Sequence, residues 1–175
     1  AAGAMNLVEA DIVAKIDNAI IIAPTAAVTV DSESSGSIDA WAVGVSGALT
    51  TSSNNGMGGF SFAGAGSFTA NRVVRHTDAI VGSGANITAN SLTVTAKDSA
   101  EIFSVAGALA AQVGSSSSLA AGISVAINEN GNDANRSRVL ASVEGANITL
   151  GGNLEVRATN ASKITTWTIA GSGQV

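Results

Sequence analysis

The chain has no cysteine, no tyrosine and a single proline, Pro24, among 175 residues. Without cysteine there is no disulfide framework, so a small cross-linked secreted domain is excluded. Aromatic residues make up 3% of the chain, where a globular enzyme core usually carries more Phe, Tyr and Leu. Charged residues amount to 12%, about half of the roughly 25% typical of soluble domains. The formal net charge of −5 denies the chain the basic stripe that a nucleic-acid binder needs. No apolar run approaches the roughly 18 residues of a membrane-spanning helix, and no secretory signal stands at Ala1. Neither nucleic-acid binding nor membrane insertion is therefore expected, and no segment carries a helical stripe.

What the chain does have is small apolar residues. Its apolar fraction is 46%, carried mostly by Ala, Val and Ile, with 20 Gly among them. Side chains of this size fill thin interiors, where sheets come close together. Many Ser, Thr and Asn are left to solvate the surface with neutral polar groups.

The chain also repeats itself. Ser83-Gly84-Ala85-Asn86-Ile87-Thr88 returns as Glu144-Gly145-Ala146-Asn147-Ile148-Thr149, and Leu92-Thr93-Val94-Thr95-Ala96 returns as Leu154-Glu155-Val156-Arg157-Ala158. Ala27-Val28-Thr29-Val30-Asp31 fits the same slot one period earlier. Ile38, Ile102 and Ile164 open the next segment of each copy, at spacings of 64 and 62. Trp41 and Trp167 fall at equivalent positions, as do Asn86 and Asn147, and Asn6 falls where Asn71 falls. A period of this length marks a repeat array, in which each unit buries its apolar face against its neighbours. Residues 1–175 read as one segment: a partial repeat over 1–36, full repeats over 37–99 and 100–161, and a partial one over 162–175. Both ends are expected to fall inside a repeat.

Period-two alternation bounded by Gly, Ser and Asn clusters predicts strands throughout, among them 7–16, 19–23, 26–31, 37–50, 58–70, 72–81, 91–97, 101–112, 119–128, 153–159 and 162–170. Successive side chains point to opposite faces. One face of 38–50 carries Ile38, Ala40, Ala42, Gly44, Ser46 and Ala48; the other carries Trp41, Val43, Val45 and Leu49. The pattern returns with Ser104, Ala106, Ala108 and Ala110 against Phe103, Val105 and Leu109. The expected fold is all-β, a repeat-built right-handed β-solenoid. Each half of a repeat, about 31 residues, would form one coil, which puts matching residues two coils apart. The alternative is an antiparallel β meander or sandwich, because turns such as Thr50 to Gly56 and Gly114 to Ser118 also suit hairpins.

The sequence Gly-Ala-Asn-Ile-Thr, then Leu-x-Val-x-Ala, then Ile at the next strand, with Ala/Gly-rich long strands between, resembles the repeats of giant bacterial surface and secreted adhesins of the filamentous-haemagglutinin and fusobacterial-leukotoxin type. The likeness runs over nearly the whole chain. It implies a secreted, non-catalytic stalk or attachment fibre at the cell surface. The partners it implies are neighbouring repeats or copies of the chain itself, and host or matrix glycans. The alternatives are a self-assembling filament subunit and a glycan- or ice-binding module on a flat Thr/Ala face such as that of Thr93 and Thr95.

No catalytic set stands out, and an enzyme is not expected. For calcium, the candidate is Asn128, Asn130 and Asp133 within Asn128-Glu129-Asn130-Gly131-Asn132-Asp133, where oxygen ligands alternate around a glycine. Only Glu129 and Asp133 are carboxylates there and the later bidentate Glu is missing, so the stretch reads first as an Asn/Gly-rich turn and no cofactor is expected. His76, the one histidine, has Asp78 two positions along the same strand face as a partner for charge. Arg72, Arg75 and His76 form a small basic cluster, echoed by Arg136 and Arg138, that reads as a solvated outer strip or an anion-binding one. Gly58-Gly59, Gly64 and Gly66 lack the following helix that a phosphate loop needs. Trp41 and Trp167, repeated at one position, read as packing residues.

Overall fold

The computed structural model describes residues 1–49, 61–113, 118–131 and 136–174. Among these no residue is helical, and nine strands account for most of them: β1 (Ala2–Ile16), β2 (Ile20–Leu49), β3 (Ser61–Val81), β4 (Asn86–Val113), β5 (Ser118–Asn130), β6 (Arg138–Val143), β7 (Asn147–Leu150), β8 (Leu154–Asn160) and β9 (Lys163–Gln174). The all-β class therefore holds. The strands are longer than the alternation predicts, because 19–23, 26–31 and 37–50 join into β2. Its register on β4 shifts only between Ala23 and Ala27, around Pro24, which has no N–H to give to a ladder.

The chain alternates between two sheets. β1, β3, β5 and β6 make sheet A; β2, β4, β7, β8 and β9 make sheet B. β3 has β1 on one side and β5 and β6 on the other, while β4 lies between β2 and the row β7 to β9. Every pairing is parallel. The antiparallel alternative is thus not what the described residues form. Strands that a hairpin would pair, β2 with β3 and β4 with β5, lie in different sheets. Each parallel neighbour is reached only after a pass through the other sheet, which supplies the long crossover that parallel pairing requires. The turns expected over Thr50 to Gly56 and Gly114 to Ser118 fall almost wholly outside the described residues.

The register also corrects the two-coil reading of the repeat. Ile38 pairs directly with Ile102, and Ile102 with Ile164. Asn86 pairs with Asn147. Matching residues are next neighbours, so one full pass through both sheets takes about 62 residues. The two halves of a repeat are not two coils, because they belong to opposite sheets.

The core lies between the sheets and changes character along the strands. At one end Val30, Val81, Ile87, Leu92 and Val94 form a broad aliphatic cluster. Ile38, Val73 and Ile102 continue it. Beyond them the interior narrows to Ala65, Ala108 and Ala110. There the small face points inward, as the small-residue composition leads one to expect, and the bulky face points outward. Ala40, Ala42, Ala106 and Ala108 are buried, whereas Trp41, Val45 and Leu49 of β2 and Phe62, Leu119 and Ile123 of sheet A are exposed. Small side chains let the sheets approach, and a close approach leaves the large ones no room inside.

The two sheets are staggered. A side chain on Gly44, in the first pass of sheet B, would meet the carbonyl of Gly66 in the second pass of sheet A; one on Gly122, in the third pass of sheet A, would meet the carbonyls of Ala108 and Gly171. Arg75 of β3 reaches both Ser34 of β2 and Asp98 of β4. The second and third passes of sheet A therefore each sit against two adjacent passes of sheet B, while β1 sits against β2 alone.

Candidate functional site

The repeat positions read from sequence are brought into register, but with different surroundings. Ile102, in the middle pass, is 1% exposed, and Ile164, its neighbour in the third pass, is 45% exposed. Leu92 and Val94 are fully buried, while Leu154 and Val156 in the same columns lie open. The stagger explains this, since β8 and β9 have sheet A on one flank only. Trp41 and Trp167 lie outside the core: both face outward and are more than half exposed. Each pairs with Val105, which separates them, and the Trp41 ring contacts Phe103 at 5.4 Å.

Asn6, Asn71 and Asn128 share one inward column. The Asn6 amide donates to the Asn71 carbonyl oxygen, and the Asn71 amide donates to that of Asn128, each at 2.7 Å. The Asn128 amide donates in turn to the Thr166 hydroxyl at 2.7 Å. The amides thus point one way along the stack. Replacing Asn71 with alanine breaks two of these bonds inside the interior and is expected to lower stability by about 1–3 kcal/mol, read as a shift in the urea midpoint.

This ladder places the calcium candidates. The Asn128 oxygen accepts from Asn71, and the Asn130 oxygen accepts from the Ser137 hydroxyl at 2.7 Å. Glu129 lies between them in sequence and pairs with Arg72 at 2.8 Å. Asp133 lies outside the described residues. Among the described residues no three His, Cys, Asp or Glu side chains gather as a metal site.

The basic cluster separates. Arg75 is 6% exposed and crosses the interior to Asp98, 1% exposed, at 3.4 Å. Asp98 also accepts from the Ser162 hydroxyl at 3.0 Å. Arg72 stays outside against Glu129. His76 finds its carboxylate on the neighbouring strand rather than two positions along its own. Its Nδ1 lies 2.8 Å from Asp11 and its Nε2 lies 2.9 Å from the Arg136 carbonyl oxygen. Parallel strands run about 4.8 Å apart, closer than alternate residues on one strand, so the cross-strand partner wins. Asp78 pairs with Arg138 instead. Its hydrogen bond, and then its charge, hold the Arg138 guanidinium above the usual arginine range.

Opposite charges also meet across adjacent passes at Glu33 and Lys97, 2.8 Å apart, and at Glu101 and Lys163, 3.6 Å apart. The Glu33 hydrogen bond, and then its charge, raise the Lys97 ammonium above the usual lysine range. Asp31 accepts from the Thr95 hydroxyl above it. Gly64 and Gly66 lie within β3, in the strand setting expected of them; Gly58-Gly59 fall outside the described residues. Sequence reasoning missed the Arg75–Asp98 pair, whose members are 23 residues apart on opposite sheets. The Asn column left a signal, since Asn6 and Asn71 repeat at the period.

No family model, no curated protein and no solved structure matches the chain.

Proposed function

We propose that the chain is a structural segment of an extracellular bacterial stalk or fibre, built as a right-handed β-solenoid and working without catalysis. The observation that carries this reading is the register. Three parallel passes put chemically matched residues in columns, Ile on Ile on Ile and Asn on Asn on Asn. Such columns serve a body that bears load along its axis, where backbone hydrogen bonds run from pass to pass. The right hand follows from the general rule for parallel strands joined by a crossover. An adhesive role rests on the resemblance to surface adhesins described from the sequence.

A second reading, a subunit that assembles end on end, is favoured by the open flanks of Leu154, Val156 and Ile164. Circular dichroism and X-ray scattering of the purified chain test the main reading. A β-rich, elongated particle is expected, since three stacked passes carry strands of up to 30 residues, and a compact or helical particle would sink it.

A further inference from the structure

We infer that the first-pass end and the third-pass end of this molecule are a matched pair, so that one copy seats head to tail on the next. The inference rests on the stacked-pass reading above and adds which surfaces meet, in what order and through which residues.

Shape gives the first argument. Because the sheets are staggered, the two ends are complementary steps. At one end β1 projects, with its inward side chains Val8, Ile12 and Ile16 only partly covered. At the other end β8 and β9 project, with Leu154, Val156 and Ile164 open. Within the chain, the inward third-pass residues of sheet B have middle-pass equivalents, Leu92, Val94 and Ile102, that are buried where the next pass of sheet A covers them. A second copy's β1 supplies that missing pass. The same contact pairs the unbonded backbone edges of β5 to β9 with those of β1 and β2, and it continues the interface already present twice within the molecule.

Charge gives the second. Asp31, Thr95 and Arg157 share one column, and Asp11, His76 and Arg138 share another. The first pass is acidic in both columns and the third is basic. Seating a first pass on a third brings Asp31 to Arg157 and Asp11 to Arg138, the cross-pass pattern that Glu33–Lys97 and Glu101–Lys163 already follow. One like-charged meeting, Asp17 with Glu144, falls at the turn. The reverse arrangements, first pass on first or third on third, run antiparallel, so they break the columns and lose both of these pairs.

The interior columns agree in direction as well as in type. Asn128, whose amide gives one N–H to Thr166, would give its second to the next copy's Asn6, as Asn6 donates to Asn71 and Asn71 to Asn128. Ile164 would meet Ile38. On the outer face Trp167 would stand beside the next copy's Trp41, about 4.8 Å away. Within one chain Val105 keeps these two rings a pass further apart. The junction is heterologous, so it propagates as an open filament rather than closing as a dimer.

Sedimentation of the 17.1 kDa chain against concentration, with far-ultraviolet circular dichroism, tests this. The wild type is expected to form a ladder of oligomers whose growth brings up a tryptophan exciton couplet. Asp31→Arg and Arg157→Glu each create a like-charge junction at an exposed position, and each alone is expected to weaken association by about tenfold or more. An equimolar mixture of the two should assemble again, in alternation, since every junction then joins opposite charges. Assembly of either variant as strong as that of the wild type overturns the inference, and so does a mixture that stays as weak as its parts. A wild type that stays monomeric while remaining rich in β-structure and elongated in X-ray scattering overturns the junction but leaves the stack. A chain without β-structure overturns both.

Discussion

Replacing Asp98 with alanine is expected to lower stability by about 3–5 kcal/mol, because it leaves a buried guanidinium without its counter-charge. Arg75 and Asp98 are 6% and 1% exposed, so water cannot take over the role of either. The Ser34 hydroxyl, 3.4 Å from the guanidinium, is a neutral acceptor and does not replace a carboxylate. Asp98→Asn can keep its one oxygen toward Arg75 and turn its amide N–H to the Ser162 hydroxyl, which then accepts, so its loss should be smaller. The double change Arg75→Met with Asp98→Leu removes both ions and should recover most of the stability, since an apolar pair of similar volume suits a buried site as well or better. Chemical denaturation of the four proteins reads all of this. A midpoint for Asp98→Ala equal to that of the wild type would falsify the buried pair. Removing the exposed partners Glu33 and Lys97 should leave the midpoint where it is, since solvent screens them.

Gly44→Val is expected to be nearly as damaging, at about 3 kcal/mol, the upper end of the usual cost of overpacking. A Cβ at Gly44 would lie 2.2 Å from the Gly66 carbonyl oxygen and 2.9 Å from its carbon. The obstacle is backbone in the opposite sheet, which cannot swing aside as a side chain can. The sheets would have to part, and the Ala layer around Ala65 and Ala108 would lose contact with them. Gly47 is the control. It lies on the same strand but faces outward, where a Cβ would sit 3.9 Å from the Ala111 carbonyl oxygen, an ordinary contact. Gly47→Ala should be neutral or slightly stabilising, because it narrows the unfolded ensemble. Equal losses at the two glycines would show that strand propensity, and not sheet separation, governs this region.

Both predictions depend on features that alternation alone does not reveal. A period of two says that Trp41 and Ala42 face opposite ways. It does not by itself say which of them is inside, although a composition rich in Ala and Gly points to a thin interior. The sheets settle it, because Gly44 against Gly66 sets a separation too small for Val43 or Val45 on the inner side. The Arg72, Arg75 and His76 cluster is a similar case. Local sequence groups them, whereas Arg75 turns inward and the other two stay outside. His76 meets Asp11, 65 residues away, because a parallel neighbour comes closer than the second residue along a strand.

The class and the columns were legible without coordinates. Alternation with almost no proline, and the return of Ala-Asn-Ile-Thr, Leu-x-Val and Ile at a common spacing, are local and periodic signals, and they name strands and say which residues are equivalent. Tertiary structure alone decided how equivalents meet. Residues one period apart are direct neighbours because each repeat crosses to the opposite sheet and returns. That crossing makes every pairing parallel and buries an ion pair between the sheets. These outcomes depend on distances between segments far apart in the chain, and a pattern read along one strand carries no measure of that distance.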